Sequence, residues 1–314
     1  MDAQGIIPRF LEDVRIPYVS WFTDTPRMIL YNRELHNSPY SIAATWERAY
    51  TDHFKSIGFQ HIHYMPLATD PTLFNAAPAK THRRQLAFVG TSMAEQCAEA
   101  IEKFEHLPHI IPQVMEAFNA GKITKETFIQ GLETFLPHEF LNPLNISERR
   151  NLELFINYEA TRYQRECLGQ LLKGADLQVR GDASWLRILD KEHVEGSLSY
   201  FDDLAPYYNS TAINLNSTSL QMPTAVNQRV FDCPAAGGFL ITDDQTDLYE
   251  QFDVPNEVVT YASHDELIDK TAYYLQHPDE RLTITQRART RILNEHTHAH
   301  RLQDLVSYLK GIFE

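Results

Sequence analysis

Apolar positions change their period several times along the chain, and the changes mark out elements. Over residues 5–14 (GIIPRFLEDV), Ile6, Ile7, Phe10, Leu11 and Val14 recur at helical spacing, which predicts an amphipathic helix. Residues 17–22 (PYVSWF) read as a short aromatic strand and 41–45 (SIAAT) as a second. A helix over about 46–57 stops at Gly58. Residues 60–65 (QHIHYM) alternate, with Ile62 and Tyr64 between polar neighbours, as a strand does. Strands separated by helices imply a parallel sheet. Asp70-Pro71 and residues 75–78 (NAAP) break the pattern and read as an interdomain linker.

Residues 86–90 (LAFVG) are a continuous apolar run, the pattern of a strand buried on both faces. The next 80 or so residues read as almost wholly helical. They close with one long helix over 147–170, carrying Leu152, Leu154, Phe155, Tyr158, Thr161, Tyr163 and Leu168 and ending before Gly174. Strands at 177–180, 212–216, 238–242 and 257–261 then alternate with helices at about 223–234, 246–251 and 264–276. Two final helices cover about 278–292 and 297–312. The expected organisation is a small α/β segment (1–82), a fuller doubly wound α/β domain (83–295) with a helical insertion over about 93–172, and a terminal helix (296–314).

Composition narrows the function classes. In 314 residues, 28 Lys and Arg stand against 42 Asp and Glu, a net charge of −14. Such a chain lacks the clustered cations that nucleic acid requires. Cys97, Cys167 and Cys233 form no C-x-x-C and no framework, so they read as free thiols of a reducing compartment. No apolar run of about 18 residues appears, so no membrane span is expected. Met1 to Gly5 lack the basic start of a leader, and the cytoplasm is the expected compartment.

Three places carry candidate chemistry. Gly90-Thr91-Ser92 follow an apolar strand and precede a helix, where a backbone can approach an anion. The richest stretch runs from Asn214 to Gly238. Asn216 closes a strand, a hydroxyl-rich loop follows, and Pro223 is placed at the first turn of a helix carrying Thr224, Asn227, Gln228, Arg229 and Asp232. A helix end, hydroxyls, amides and one guanidinium make a diphosphate cradle, and Asp232 can accept from ribose hydroxyls. Asp24, at a strand end before Pro26, is the candidate catalytic base, with Arg229 as the electrostatic partner. His61 and His63, and His296, His298 and His300, lack the spacing and companions of a metal site, so no metal is expected. There is neither a P-loop nor an intact G-x-G-x-x-G, which argues against a dinucleotide oxidoreductase.

Around residues 212–242 the segment INLNSTSLQMPTAVNQRVFDCPAAGGFLITD resembles the signature of CgeB-like (spore maturation protein) glycosyltransferases. VSWFTDTPR, YMPLATDPTLF, LAFVGTS, VRGD and EHTHAHRL resemble further blocks of that family, in its order. The resemblance implies a GT-B fold of two Rossmann-like domains with the donor in the cleft between them. The stretch FDCPAAGGFLIT is similar to a donor-site helix that usually reads E-A-x-A-x-G-x-P. On that match Asp232 stands where a ribose-binding Glu is usual, Arg229 lies by the diphosphate, and Gly90 and Thr91 face the phosphates. The last helix would brace the N-terminal domain. About 75 residues precede the linker, fewer than a GT-B N-terminal domain usually has, so a shortened half or a fragment is expected.

The implied activity is transfer of a sugar from a UDP-, GDP- or dTDP-linked donor, without an obligatory cofactor, to a glycan, protein or small-molecule acceptor. The alternative is a non-catalytic nucleotide-binding or assembly protein of the same fold. In either case a homodimer is a possible way to complete the short half.

Overall fold

A computed structural model describes residues 6–30 and 38–314. Residues 1–5, where a leader was sought, lie outside the described residues.

The first sheet is parallel and three-stranded among the described residues, in the order β1-β2-β3. Helix α1 (Ile6–Asp13) precedes β1 (Tyr18–Phe22), and a short α2 (Pro26–Leu30) follows it. Strand β2 (Ser41–Thr45) leads through a 3-10 turn (Arg48–Tyr50) into α3 (Thr51–Ser56) and then β3 (His61–Tyr64). All five residues of β2 are buried, as a central strand covered on both faces requires. Aromatic residues fill the space beneath it: Phe22, Trp46, Tyr50, Phe54 and Phe59 pack together.

The second sheet opens with β4 (Arg84–Val89). Five helices follow before the chain returns to it: α4 (Ala94–Glu102), α5 (Ile110–Asn119), α6 (Lys125–Gln130), α7 (His138–Leu141) and the 26-residue α8 (Ile146–Leu171). Then come β5 (Leu177–Arg180), β6 (Val194–Glu195), α9 (Leu204–Asn209), β7 (Thr211–Leu215), α10 (Gln228–Ala235), β8 (Leu240–Asp243), α11 (Leu248–Gln251) and β9 (Val259–Tyr261). Helices α12 (His264–Gln276), α13 (Pro278–Glu295) and α14 (His298–Phe313) finish the chain. The six strands are parallel, in the order β6-β5-β4-β7-β8-β9. The order reverses beside β4 and β7, which sit at the centre, so ligands are expected at their carboxyl ends.

Side chains along β4 alternate between two cores. Leu86 and Phe88 join Leu168, Trp185, Ile213, Leu215 and Leu267 on one face. Ala87 joins Val230, Phe231, Ala288 and Ile292 on the other. The five-helix insertion has its own core, which also takes in Met28 of α2. Arg27 ties the insertion to the first sheet with a 2.6 Å ion pair to the buried Glu153 and a hydrogen bond to the Ile129 carbonyl. Burial pushes the Glu153 carboxyl up, and the Arg27 charge opposes that shift. Helix α14 crosses back: Leu305 packs with Ala44 and Met65, and Tyr308 donates to the Ile62 carbonyl.

Elements α2, β6 and α9 lie where the sequence pattern marks none, and one element at the site starts elsewhere than expected. The helix placed at about 223–234 begins at Gln228, with Asn227 as its N-cap accepting from the Arg229 N–H at 3.1 Å. Pro223 and Thr224 therefore lie in the loop before it, not in the first turn. Glu47 is the reason: its carboxylate binds the N–H groups of Thr224 and Ala225, both at 3.0 Å, and pins the loop in a non-helical path.

Candidate functional site

The carboxyl ends of β4 and β7 face the loops that leave the first sheet. At the end of β4, Gly90 donates its N–H to the Arg180 carbonyl, and its own carbonyl accepts from the Trp185 indole at 2.9 Å. The turn is thereby fixed, leaving Gly90 and Thr91 half-buried. Ser92 turns inward. It is 1% exposed and gives its hydroxyl to Asp182 at 2.7 Å, where the sequence expectation has it as a ligand contact. The Ser92–Asp182 bond shapes the turn.

Two guanidiniums flank Phe88 at this point. Arg229 lies 5.3 Å from the ring centroid and Arg165, from the middle of α8, lies 5.8 Å away. Arg229 donates to the Val89 carbonyl and to Asn216. Arg165 donates to the Thr91 carbonyl at 2.6 Å and to its hydroxyl at 3.2 Å. Neither forms an ion pair among the described residues, and the Nε of each is buried without a partner. Burial and, after it, the charge of Arg229 lower the Arg165 pKa to about 10, with the Asp182 carboxylate opposing them. Two cations this close, with no carboxylate bound to either, make a place that favours an anion.

The remaining sequence candidates divide into those that hold Arg229 and those that join the sheets. Asn216 is 0% exposed. Its amide donates to the Thr242 hydroxyl at 2.8 Å, and its oxygen accepts from Asn227 at 2.8 Å and from Arg229. Every polar atom of the Asn216 side chain is thus engaged inside the protein, and it positions Arg229 instead of facing the cleft. Gln228 donates to Asp232 at 3.0 Å and to the Ala68 carbonyl.

Asp232 departs furthest from its expected role. It is 1% exposed and makes no ion pair with Arg229 among the described residues. Its carboxylate accepts from Thr69 at 2.8 Å, Tyr200 at 2.9 Å and Gln228. Burial raises its pKa to about 6, although all three hydrogen bonds pull the other way. Asp232 instead links α10 to Thr69, in the segment that leaves the first sheet after β3.

Other links run beside it. Glu47, fully buried, also accepts the Thr224 hydroxyl at 2.7 Å, so that hydroxyl faces the first sheet and is not free for a phosphate. Tyr64 donates to Asp247 at 2.7 Å, and Tyr50 to the Gln221 carbonyl at 3.0 Å. Asp24 is exposed, with Gln221 donating to it at 3.4 Å. The sequence reading missed Arg165 and Glu47. Arg165 sits on a helix 75 residues from Gly90, where no local spacing marks it, and Glu47 follows a strand with no motif around it.

The histidines are absorbed by structure. His63 lies 3.0 Å from Asp304, His296 bonds the Gln251 carbonyl at 3.0 Å, and His300 caps α14 through Thr297. Among the described residues no three His, Cys, Asp or Glu side chains cluster as metal ligands do. No helix among them is long and apolar enough to cross a membrane.

Superposition on solved structures decides the fold. Sucrose-phosphate synthase from Thermosynechococcus elongatus superposes with a TM-score of 0.50 at 11% identity, over 90% of this chain and 60% of that one. Anabaena Alr3699/HepE, solved in complex with UDP and glucose, superposes with a TM-score of 0.52 at 10% identity, over 98% of this chain and 74% of that one. The chain has the GT-B glycosyltransferase fold. It spans about 60% of the length of the synthase. Residues 161–307 match the model of a family described as glycosyl transferase-like. That match opens on α8 just before Arg165 and runs through Arg229 and Asp232 into α14. No curated protein matches the chain at a significant level.

Proposed function

We propose that the chain is a CgeB-like glycosyltransferase that takes a sugar from a nucleotide-sugar donor. The observation that carries this reading is the pair Arg165 and Arg229 at the carboxyl end of β4, with no carboxylate bound to either among the described residues. A donor diphosphate placed over Gly90 and Thr91 would supply the missing negative charge. Displacement at the anomeric carbon moves charge onto the leaving diphosphate. Two fixed guanidiniums stabilise that developing charge more than the ground state, which is what lowers a barrier. Asn216 and Asn227 hold Arg229 in place, and Gln228 and Asp232 hold the start of α10 against the first sheet. Asp24, the exposed carboxylate at the end of β1, is the candidate base toward an acceptor hydroxyl.

HepE was solved with UDP and glucose, which makes UDP-glucose the first donor to try, before the GDP- and dTDP-linked sugars. Binding without transfer is the second reading, motivated by the three-stranded first sheet. Measuring donor hydrolysis and transfer beside binding separates the two. Turnover lost in Asp24→Asn at unchanged donor affinity supports the enzyme; binding with no turnover in any acceptor pool supports the alternative.

A further inference from the structure

A second cationic place lies at the opposite end of the six-stranded sheet. A cavity of about 230 Å³ opens at the amino ends of β7 and β8, beside Ala212 and Phe239. Its other walls are the linker, with Lys80 and His82, and the first turn of α13, with Asp279 and Arg281. Lys80 and His82 belong to the run KTHRR at 80–84, a concentration of positive charge in a chain of net charge −14.

Arg281 is the unusual group. It is 6% exposed, donates to the Tyr274 carbonyl, and leaves its Nε buried without a partner. It forms no ion pair among the described residues; Asp279, in the same wall, is two residues away on the helix and points to a different side. Burial pulls its pKa down, and burial first, then the Arg281 charge, lowers that of His82. A buried guanidinium beside a lysine and a histidine, without a counter-ion, is an unbalanced charge that an anion would satisfy. The cavity lies below the roughly 300–1,000 Å³ of sites for drug-sized ligands, so a nucleotide sugar does not fit it.

We propose that this cavity binds a phosphate group, held by Arg281, Lys80 and His82 and contributed by inorganic phosphate or by a small phosphate monoester. The ligand would cross-link the linker to α13. The linker is already packed tightly there: Gly237 (φ +81) leaves its Cβ position 2.9 Å from both the Ala76 oxygen and the Pro78 Cα, and Asn209 donates to the Ala77 carbonyl. Helix α13 packs on α10, which carries Arg229, so occupancy would stiffen the connection between the sheets. The site stands apart from the donor cleft and does not depend on the function proposed above.

The test is calorimetric titration of the full chain with inorganic phosphate and, separately, glucose 6-phosphate, each against chloride at equal ionic strength. One site with a dissociation constant below ~1 mM is expected. The exposed-side double variant Lys80→Ala/His82→Asn should weaken it at least ~tenfold. Arg281→Gln should abolish it, and Arg229→Ala should leave it unchanged. The tighter of the two ligands tells free phosphate from a monoester. Heat no different from chloride would overturn the proposal. So would binding that survives the Lys80/His82 change, or binding that vanishes in Arg229→Ala and so belongs to the donor cleft. If Arg281→Gln fails to fold, the Lys80/His82 variant still decides.

Discussion

Asp232 holds a negative charge where water cannot reach it, and its hydrogen bonds only partly offset that burial. A carboxyl raised from its usual 3.8 to about 6 binds its proton more tightly folded than unfolded. Its contribution to stability is therefore complete below pH 3.8 and lost as pH rises through 6, a difference of about 3 kcal/mol at 1.36 kcal/mol per unit. Asp232→Asn should remove that slope between pH 4 and 6 and unfold at an equal or higher temperature at pH 7, because Tyr200 can turn its hydroxyl to accept. Thermal melts of both proteins across that range check it; parallel pH profiles would contradict it. At this scale the sequence was partly legible. Gly90, Thr91 and Arg229 are found together because each lies next to a strand end or helix start. Arg165 and Glu47 were invisible because tertiary packing alone brings them there.

Elements were more legible than their ends near the site. Strand β2 (Ser41–Thr45) and helix α12 (His264–Gln276) have the bounds the pattern predicts. An apolar centre, Ile42-Ala43-Ala44, between two hydroxyl residues defines β2, and Ser263 caps α12 by accepting from the Glu266 N–H. Helix α10 starts late because the Glu47 carboxylate captures the N–H groups of residues 224 and 225, a competition that local propensity does not contain. Glu47→Ala should thus cost about 1.5–3 kcal/mol, the range for hydrogen bonds to a charged group, and loosen the loop. Urea unfolding measures the first, and faster amide exchange at Thr224 and Ala225 the second; an unchanged midpoint would refute it. In the insertion, Gly131 adopts φ +116, with its Cβ position 2.9 Å from the Arg27 guanidinium. Gly131→Ala should destabilise by about 1–3 kcal/mol and weaken the Arg27–Glu153 tie. A denaturant midpoint within error of wild type would argue against that.

Across the whole molecule, buried polar contacts join the two sheets beside apolar packing, in which Met222 and Ala225 enter the core under the first sheet. Thr69–Asp232, Thr224–Glu47 and Tyr64–Asp247 all cross between them, and α14 returns to the first sheet. The net charge of −14 excludes a broad basic face, yet two arginines without ion-pair partners among the described residues gather at one strand end. The chain concentrates its attraction for anions where the fold opens, and the helical insertion is part of that arrangement because α8 supplies Arg165. This is why the insertion read from the sequence as a separate helical block, while its contribution to the cleft did not.

The most direct measurement is calorimetric titration of the intact chain with UDP-, GDP- and dTDP-linked sugars, repeated with Arg165→Ala and Arg229→Ala. Each guanidinium–phosphate contact is worth about 1.5–3 kcal/mol, so each substitution should weaken binding by roughly tenfold to a hundredfold while the fold is retained. No binding of any of these donors by the wild-type protein, or binding that both variants keep at full strength, would contradict the account.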